Sequence, residues 1–524
     1  MAAPTKSLTR RFDFSGGLNS RASEMELEAN QSPSLRNVEL GRTGALKRRA
    51  GMASYGTVSG SGGVNGLFRY RSASGNISLL GFRGANCYSE TTAGHGDFDT
   101  SEGTGYNSAS TWIGSQYDNN LFMANGQDPS LVWDGTDLVD FVSHDDASLP
   151  TEWSGTNQPL GFALGWAARN EKMFAWNAGS DYPSRLWWSK DTDPFTWDIV
   201  VDSSSDGGYL DFLVDNGEAI QSVYPMHDLL LVFKETACGV FMYGDDSGNP
   251  LVLKQVLPVG CSSHHSIVGV GRDLYFWSDR GPVKMSGIQE YGDLAPERGI
   301  SHNVLTEIDK ANWAQADRIM AVHRRDEDMV EWYFAPSGST RNTSSLTYNI
   351  VTGAVVPTTG REVKCVLTYA DSGGDYVTLA GDSSGNVNQL GVGLTDEGVA
   401  IDTEYVTAWD WAGDIGADKR LLRVTFFCQD DYDVDVELQW DHDGGTWHSL
   451  GNLRDLNNTG LSQWDVGTWD DSTVFMWDQG QSGVVVVHPT GRGNRYRLRF
   501  TADSTNTSFH LLGYEAMLSM RPNR

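Results

Sequence analysis

Two short segments gather side chains that could do chemistry. Ser189, Asp191 and Trp197 share one run with Asp193 and Thr196, and Asp441, Asp443 and Trp447 share another with Gly444, Gly445 and Thr446. A carboxylate in such a turn accepts N–H groups from its own hairpin, and the indole packs beneath the sheet, so the expected role is structural. Glycoside hydrolysis would need two carboxylates flanking a scissile bond. With 68 Asp and Glu in the chain, proximity of two carboxylates carries no weight.

Both runs approximate the Asp box of sialidases, where the aspartate also serves the turn. Sialidases further use an arginine cluster and a tyrosine nucleophile, and no arginine spacing here stands out. The acidic stretch Asp430–Asp435 and the run Asp441–Gly445 lack the D-x-D-x-D-G spacing with a distant glutamate that a calcium loop requires. His264 and His265 are adjacent, so on a strand they point to opposite faces and cannot hold one ion together. No phosphate-binding glycine loop, nucleophile elbow or His-Glu-x-x-His motif occurs. The expectation is a protein without catalytic residues, metal or other cofactor.

The elements that would carry these turns are strands. The 524 residues include 59 Gly and 18 Trp, only 20% are charged, and apolar periodicity of the helical kind is confined to Glu24–Asn37 and Val304–Asp317. Short apolar strands divided by Gly, Asp, Asn and Ser turns recur from near Val64, Ser110, Leu160, Ala219, His264, Asp317 and Lys364, at spacings of 46, 50, 59, 45, 53 and 47 residues. A period of this size with several strands per repeat is the pattern of β-propeller blades, which must stack to bury their faces. Six to eight blades are expected over 60–400. Beyond 400 the strands lengthen and alternate cleanly, as in 421–429, 434–441, 483–489, 495–503 and 509–520, which predicts a C-terminal β-sandwich over 401–524. Residues 1–59 read as an extended N-terminal arm with a docking function. The fold class is therefore all-β.

Charge separates the ends from the body. Residues 1–50 carry nine basic and five acidic side chains and residues 492–524 six and two, so the intervening body holds −37 of a total of −29. That field opposes binding to the outside of nucleic acid or to anionic lipid. Cys87, Cys238, Cys261, Cys365 and Cys428 are odd in number and far apart, and read as buried free thiols. No stretch approaches the length of an apolar membrane span and the first residues have no apolar signal core, so neither a membrane partner nor ordinary secretion is expected.

The arm carries a recognisable order of residues: Phe14, Gly16, Gly17, Leu18 and Asn19, then an acidic stretch to Val38, then a basic patch with Lys47, Arg48 and Arg49. Together with Arg185–Ser189 before Asp193–Trp197, and Arg492–Phe500 near the end, this resembles the tail nozzle of short-tailed bacteriophages. That family comprises tail tubular protein B and the related hub, or packaged-DNA stabilisation, propellers. The resemblance implies a structural virion protein of the tail, assembled in the host bacterial cytoplasm as a ring, usually a homohexamer. It would lie below the head-to-tail adaptor protein, make the head–tail connection, carry tail fibres or spikes, and retain double-stranded DNA until ejection through its channel. Phe14, Gly16, Gly17, Leu18, Asn19, Lys47, Arg48 and Arg49 are the expected adaptor or intersubunit contacts. A channel for sliding DNA should not grip phosphates, and an acidic body is compatible with that. The alternative is a receptor- or glycan-binding propeller of the tail, in which some tryptophans form a sugar surface rather than core.

Overall fold

The computed structural model describes residues 5–41, 43–90, 96–149, 162–178, 182–200, 205–244, 250–288, 293–297, 299–371, 373–413, 415–429, 433–454 and 483–521. The chain is nearly all-β. Among the described residues its α-helices are two single turns, Gly299–His302 and Leu305–Ile308, and no helix is long and apolar enough to cross a membrane.

Four-stranded antiparallel meanders dominate the middle of the chain. The third runs Gly165–Arg169, Lys172–Trp176, Arg185–Trp188 and Gly208–Asp211, each strand paired with the next. Its first turn is tight because Asn170 and Glu171 both adopt positive φ, the geometry of a hairpin turn that matches strand twist. All five residues of Lys172–Trp176 are buried, with Met173 and Ala175 in one core and Phe174 and Trp176 in the next. A strand covered on both faces reads as a continuous apolar run, which explains why these aromatic phrases recur.

Similar meanders open at Val64–Arg71, Ile113–Tyr117, Ser222–Met226, Val268–Val270 and Met320–Arg324. A last unit contributes only three strands of its own, Cys365–Ala370, Tyr376–Gly381 and Asn386–Leu390. Its fourth strand is Met52–Val58, which pairs antiparallel with Asn386–Leu390 across more than 300 residues of chain. The opening strands lie side by side, and Cys365–Ala370 touches Val64–Arg71, so the last unit packs on the first. Polar ties join neighbours near the same ends: Gln116 Nε2 donates to the Arg71 carbonyl at 2.6 Å, Tyr117 to the Glu171 carbonyl at 2.9 Å, and Arg325 to Tyr376 Oη at 2.7 Å.

Two further sheets combine both ends of the chain. One contains Val38–Leu40, Leu46–Arg48, His510–Arg521, Asp418–Cys428 and Gly483–Val487, with Thr5–Arg11 antiparallel to His510–Arg521. The other contains Ser34–Arg36, Thr403–Val406, Tyr496–Ala502, Asp433–Trp440 and His448–Arg454. They share a core in which Phe426 meets Phe500 edge-on at 5.9 Å and Tyr514 at 6.1 Å.

The expected division at 400/401 falls between Val399–Ala400, in the sheet of the last meander, and Thr403–Val406, in a C-terminal sheet, whereas that at 59/60 does not coincide with the sheets. Residues 5–48 are not an extended arm: their strands belong to the C-terminal sheets, and Met52–Val58 belongs to the last meander. The physical reason is that Val38, Leu40 and Leu46 need burial, and their backbone groups need partners once buried. The expected helix Glu24–Asn37 is turns followed by the strand Ser34–Arg36, while Val304–Asp317 yields one α-turn and a 3₁₀ segment, Trp313–Arg318. The five cysteines are free and buried.

Candidate functional site

The segment Phe14–Asn19 is a seam inside the chain. Phe14 is fully buried, edge-on to Tyr405 at 5.4 Å. Leu18 is buried and its N–H donates to the Val355 carbonyl at 2.9 Å, joining the segment to the last strand of the sixth meander. Gly17 has φ +69°, and a Cβ there would lie 2.8 Å from the Val355 nitrogen; at Gly16 it would lie 2.8 Å from the Asn30 backbone. Both glycines therefore permit backbone approach that no side chain would allow. Asn19 donates to Gln31 Oε1 at 2.9 Å, and its own Oδ1 accepts the Ala22 N–H at 3.0 Å.

The basic patch divides by burial. Lys47 is exposed, whereas Arg48 and Arg49 are each 3% exposed. Arg48 donates to the carbonyls of Ser504, Thr507 and Leu394. Arg49 grips Asp396 bidentately at 2.9 and 2.5 Å and donates to Asn37 Oδ1 at 2.9 Å. Of the expected adaptor or intersubunit residues, Phe14, Gly17, Leu18, Asn19, Arg48 and Arg49 are thus occupied within their own chain. A buried guanidinium must be paired, and residues distant in sequence supply the pairing.

Arg49 opens onto a buried charge cluster. Arg361 lies 3.4 Å from Asp396 and 3.9 Å from Glu331, and Arg324 lies 2.5 Å from Glu327, 3.6 Å from Glu39 and 4.0 Å from Glu331. Three guanidiniums thus face four carboxylates. The guanidiniums hold Glu331 and Asp396 below the usual carboxylate range against the cost of burial. Glu327 goes the other way: burial and then the Glu39 charge push its carboxyl up to about 7. Its Oε2 is buried without a hydrogen-bond partner. Beside it lies a cavity of about 230 Å³ lined by Arg324, Arg325, Glu327, Tyr376 and Gln389 among others.

The two Asp-box-like turns differ from each other. In the first, Trp197 is buried and its Nε1 donates to the Pro194 carbonyl at 2.8 Å, as a structural box requires. The carboxylate that caps the turn is Asp193, which accepts from Phe195 N and Thr196 Oγ1 at 3.0 and 2.7 Å. Asp191 instead pairs with the buried Lys172 at 2.7 Å, and Ser189 Oγ accepts the Met173 N–H at 3.0 Å. In the second, Asp443 accepts the Trp440 N–H at 2.8 Å and Asp441 the Asn494 N–H at 2.9 Å. Trp447 is not beneath a sheet; it is half-buried over the guanidiniums of Arg497 and Arg499.

His264 and His265 sit in a 3₁₀ turn rather than a strand, and His264 Nδ1 lies 2.7 Å from Ser222 Oγ. Burial depresses both imidazoles, to about 3 and about 4. Among the described residues no three His, Cys, Asp or Glu side chains are gathered as for a metal ion. Asp430–Tyr432 of the acidic stretch lie outside the described residues. The arginine spacing that sequence reasoning passed over is Arg495, Arg497 and Arg499, whose alternation places them on one face of a strand.

No family model matches the chain, and no curated protein matches it. Among solved structures, the chain is similar to the computationally designed Ika8 protein, with 10% identity and a TM-score of 0.38, covering 64% of this chain and 98% of that one. It is also similar to the WD40 β-propeller domain of Doa1, with 9% identity and a TM-score of 0.37, covering 65% of this chain and 96% of that one.

Proposed function

We propose that the chain is a structural virion protein, a seven-bladed β-propeller with a β-sandwich, and that it forms the tail nozzle or hub ring of a short-tailed phage. The observation that carries the reading is the closure of the middle of the chain: Met52–Val58 completes the unit of Cys365–Leu390, which packs on the first meander. A closed array of blades is rigid without a ligand. The −37 body gives such a ring a surface that does not hold DNA phosphates. The sandwich, built from both ends of the chain, then serves as the docking module toward an adaptor or a neighbouring copy. Exposed Lys47 is the member of the basic patch that remains available for that contact.

In this role the ring continues the adaptor's channel, retains packaged DNA, and carries fibres or spikes on its outer face; it performs no catalysis. Native mass spectrometry of the purified protein, alone and mixed with phage adaptor rings, tests it. A hexamer, or six copies recruited by an adaptor, is the expected result. A monomer indifferent to every adaptor sinks the proposal and favours the receptor- or glycan-binding reading.

A further inference from the structure

Ten of the fourteen tryptophans among the described residues are buried. Of the other four, Trp409, Trp411 and Trp447 gather on one face of the sheet that contains Tyr496–Ala502, interleaved with its arginines. The Arg495 guanidinium lies 4.5 Å from the Trp409 ring centre and 4.8 Å from that of Trp411. Arg497 lies 4.4 Å from Trp409 and 5.3 Å from Trp447, and Arg499 4.6 Å from Trp447. The order is thus a ladder, Trp411, Arg495, Trp409, Arg497, Trp447, Arg499.

Polar neighbours hold the ladder in place. Glu24 accepts from Trp409 Nε1 at 2.6 Å and pairs with Arg497 at 3.0 Å. Arg497 also donates to Gln439 at 2.6 Å, and Arg499 pairs with Glu437. Arg495 differs from the other two: among the described residues it forms no salt bridge, Glu24 acts on it only through its charge, and its buried Nη1 has no hydrogen-bond partner. Trp411 ends the ladder, stacked on one guanidinium only, which leaves its second ring face unstacked among the described residues.

The composition of this face selects its partner. The aliphatic side chains of the same strands, Val434, Val436, Leu438 and Leu498, are buried in the core. What remains outward is indole, guanidinium, amide and carboxylate. A protein partner wants an apolar centre ringed by polar groups, and among the described residues this face has none. Flat indoles beside a guanidinium that no described carboxylate bridges match a saturated sugar ring bearing a carboxylate: C–H groups lie on the indole, and the acid takes a charge-assisted bond from arginine. The side chains are already fixed by stacking, so little rotamer freedom is lost on binding.

We propose that this face binds an acidic polysaccharide, with the carboxylate of one sugar on Arg495 and its ring against Trp411. The inference goes beyond the ring reading and does not depend on it, because it concerns the outer face of one sheet. The test titrates the full chain with oligogalacturonate and with oligosialic acid, with neutral maltohexaose as control, read by tryptophan fluorescence and affinity electrophoresis. Expected is binding of at least one acidic oligomer and not of maltohexaose, weakened at least about tenfold by Trp411→Ala and by Arg495→Gln. Melting temperature should stay unchanged, and Arg495→Lys and Trp411→Phe should retain part of the affinity. Absence of binding by both acidic oligomers, or binding untouched by the substitutions, overturns the proposal. Variants that leave sugar binding alone but lower the particle mass would make the face a contact between copies instead, which also overturns it.

Discussion

Replacing Glu327 with Gln should stabilise the protein at alkaline pH and not at acid pH. Burial and the Glu39 charge raise this carboxyl from 4.5 to about 7. In the unfolded chain the group returns to its ordinary value. The folded form therefore holds a proton that the unfolded form has released between those two values. Its stabilising contribution is complete below about 4.5 and is lost as pH climbs through about 7. At 1.36 kcal/mol per pH unit, that interval is worth roughly 3 kcal/mol. The side chain is 29% exposed, so solvent screening brings the expectation to about 1–2 kcal/mol. Gln preserves the acceptor that Arg324 Nη2 uses at 2.5 Å while removing the surplus charge. Urea denaturation of both proteins at pH 5.5 and pH 8.5 gives the comparison: the variant should gain about 1–2 kcal/mol relative to the parent on going from the lower to the higher pH. An equal loss at both pH values, or a relative gain at pH 5.5, would refute the reasoning and mean that the Arg324, Arg361 and Arg49 guanidiniums already balance all four carboxylates.

Lys234→Met should cost about 3 kcal/mol by thermal melting and open the 213–218 turn to limited proteolysis, because the buried ammonium donates to Ser184 Oγ, the Leu213 and Glu218 carbonyls and Asn216 Oδ1 at 2.7–3.0 Å. Gly17→Ala should destabilise by about 1–3 kcal/mol, since it combines a positive φ with a Cβ 2.8 Å from the Val355 nitrogen; a normal melting curve would show that this seam yields. His264 and His265 are depressed in the folded state to about 3 and about 4, so the unfolded chain binds more protons below about 6.5 and stability falls as pH drops from there. His265→Gln should flatten that acid-side loss in denaturation midpoints measured between pH 6.5 and 4.5, and an unaltered slope would place the acid sensitivity elsewhere.

What local pattern encodes, the sequence discloses. The spacing of aromatic strands such as Lys172–Trp176 and the turn residues between them correspond to the observed meanders, because alternation and tight turns are set by neighbours in the chain. Partnerships across hundreds of residues leave no such trace. Met52–Val58 looked like the end of an arm because its partner, Asn386–Leu390, is more than 300 residues away. Arg48 and Arg49 read as contacts to an adaptor or a neighbouring subunit for the same reason, Asp396 and the Ser504 and Thr507 carbonyls being supplied from elsewhere. At the first Asp-box-like turn the motif indicated Asp191, yet Asp193 caps the turn, since the extra residue relative to the motif shifts which carboxylate reaches Phe195 N. Glu24–Asn37 has helical periodicity but its polar residues are taken up by turns and by Trp409 and Arg497.

The antiparallel pairing of Thr5–Arg11 with His510–Arg521 has a consequence in time. During synthesis the first strand leaves the ribosome hundreds of residues before its partner exists, and at roughly 5–20 residues per second that wait lasts on the order of half a minute or more. Throughout it, Thr5–Arg11 and Leu46–Arg48 lack the strand against which both are paired in the finished protein. Chains interrupted before His510–Arg521 keep those edges open, so a cell translating this message must shield them until that strand emerges.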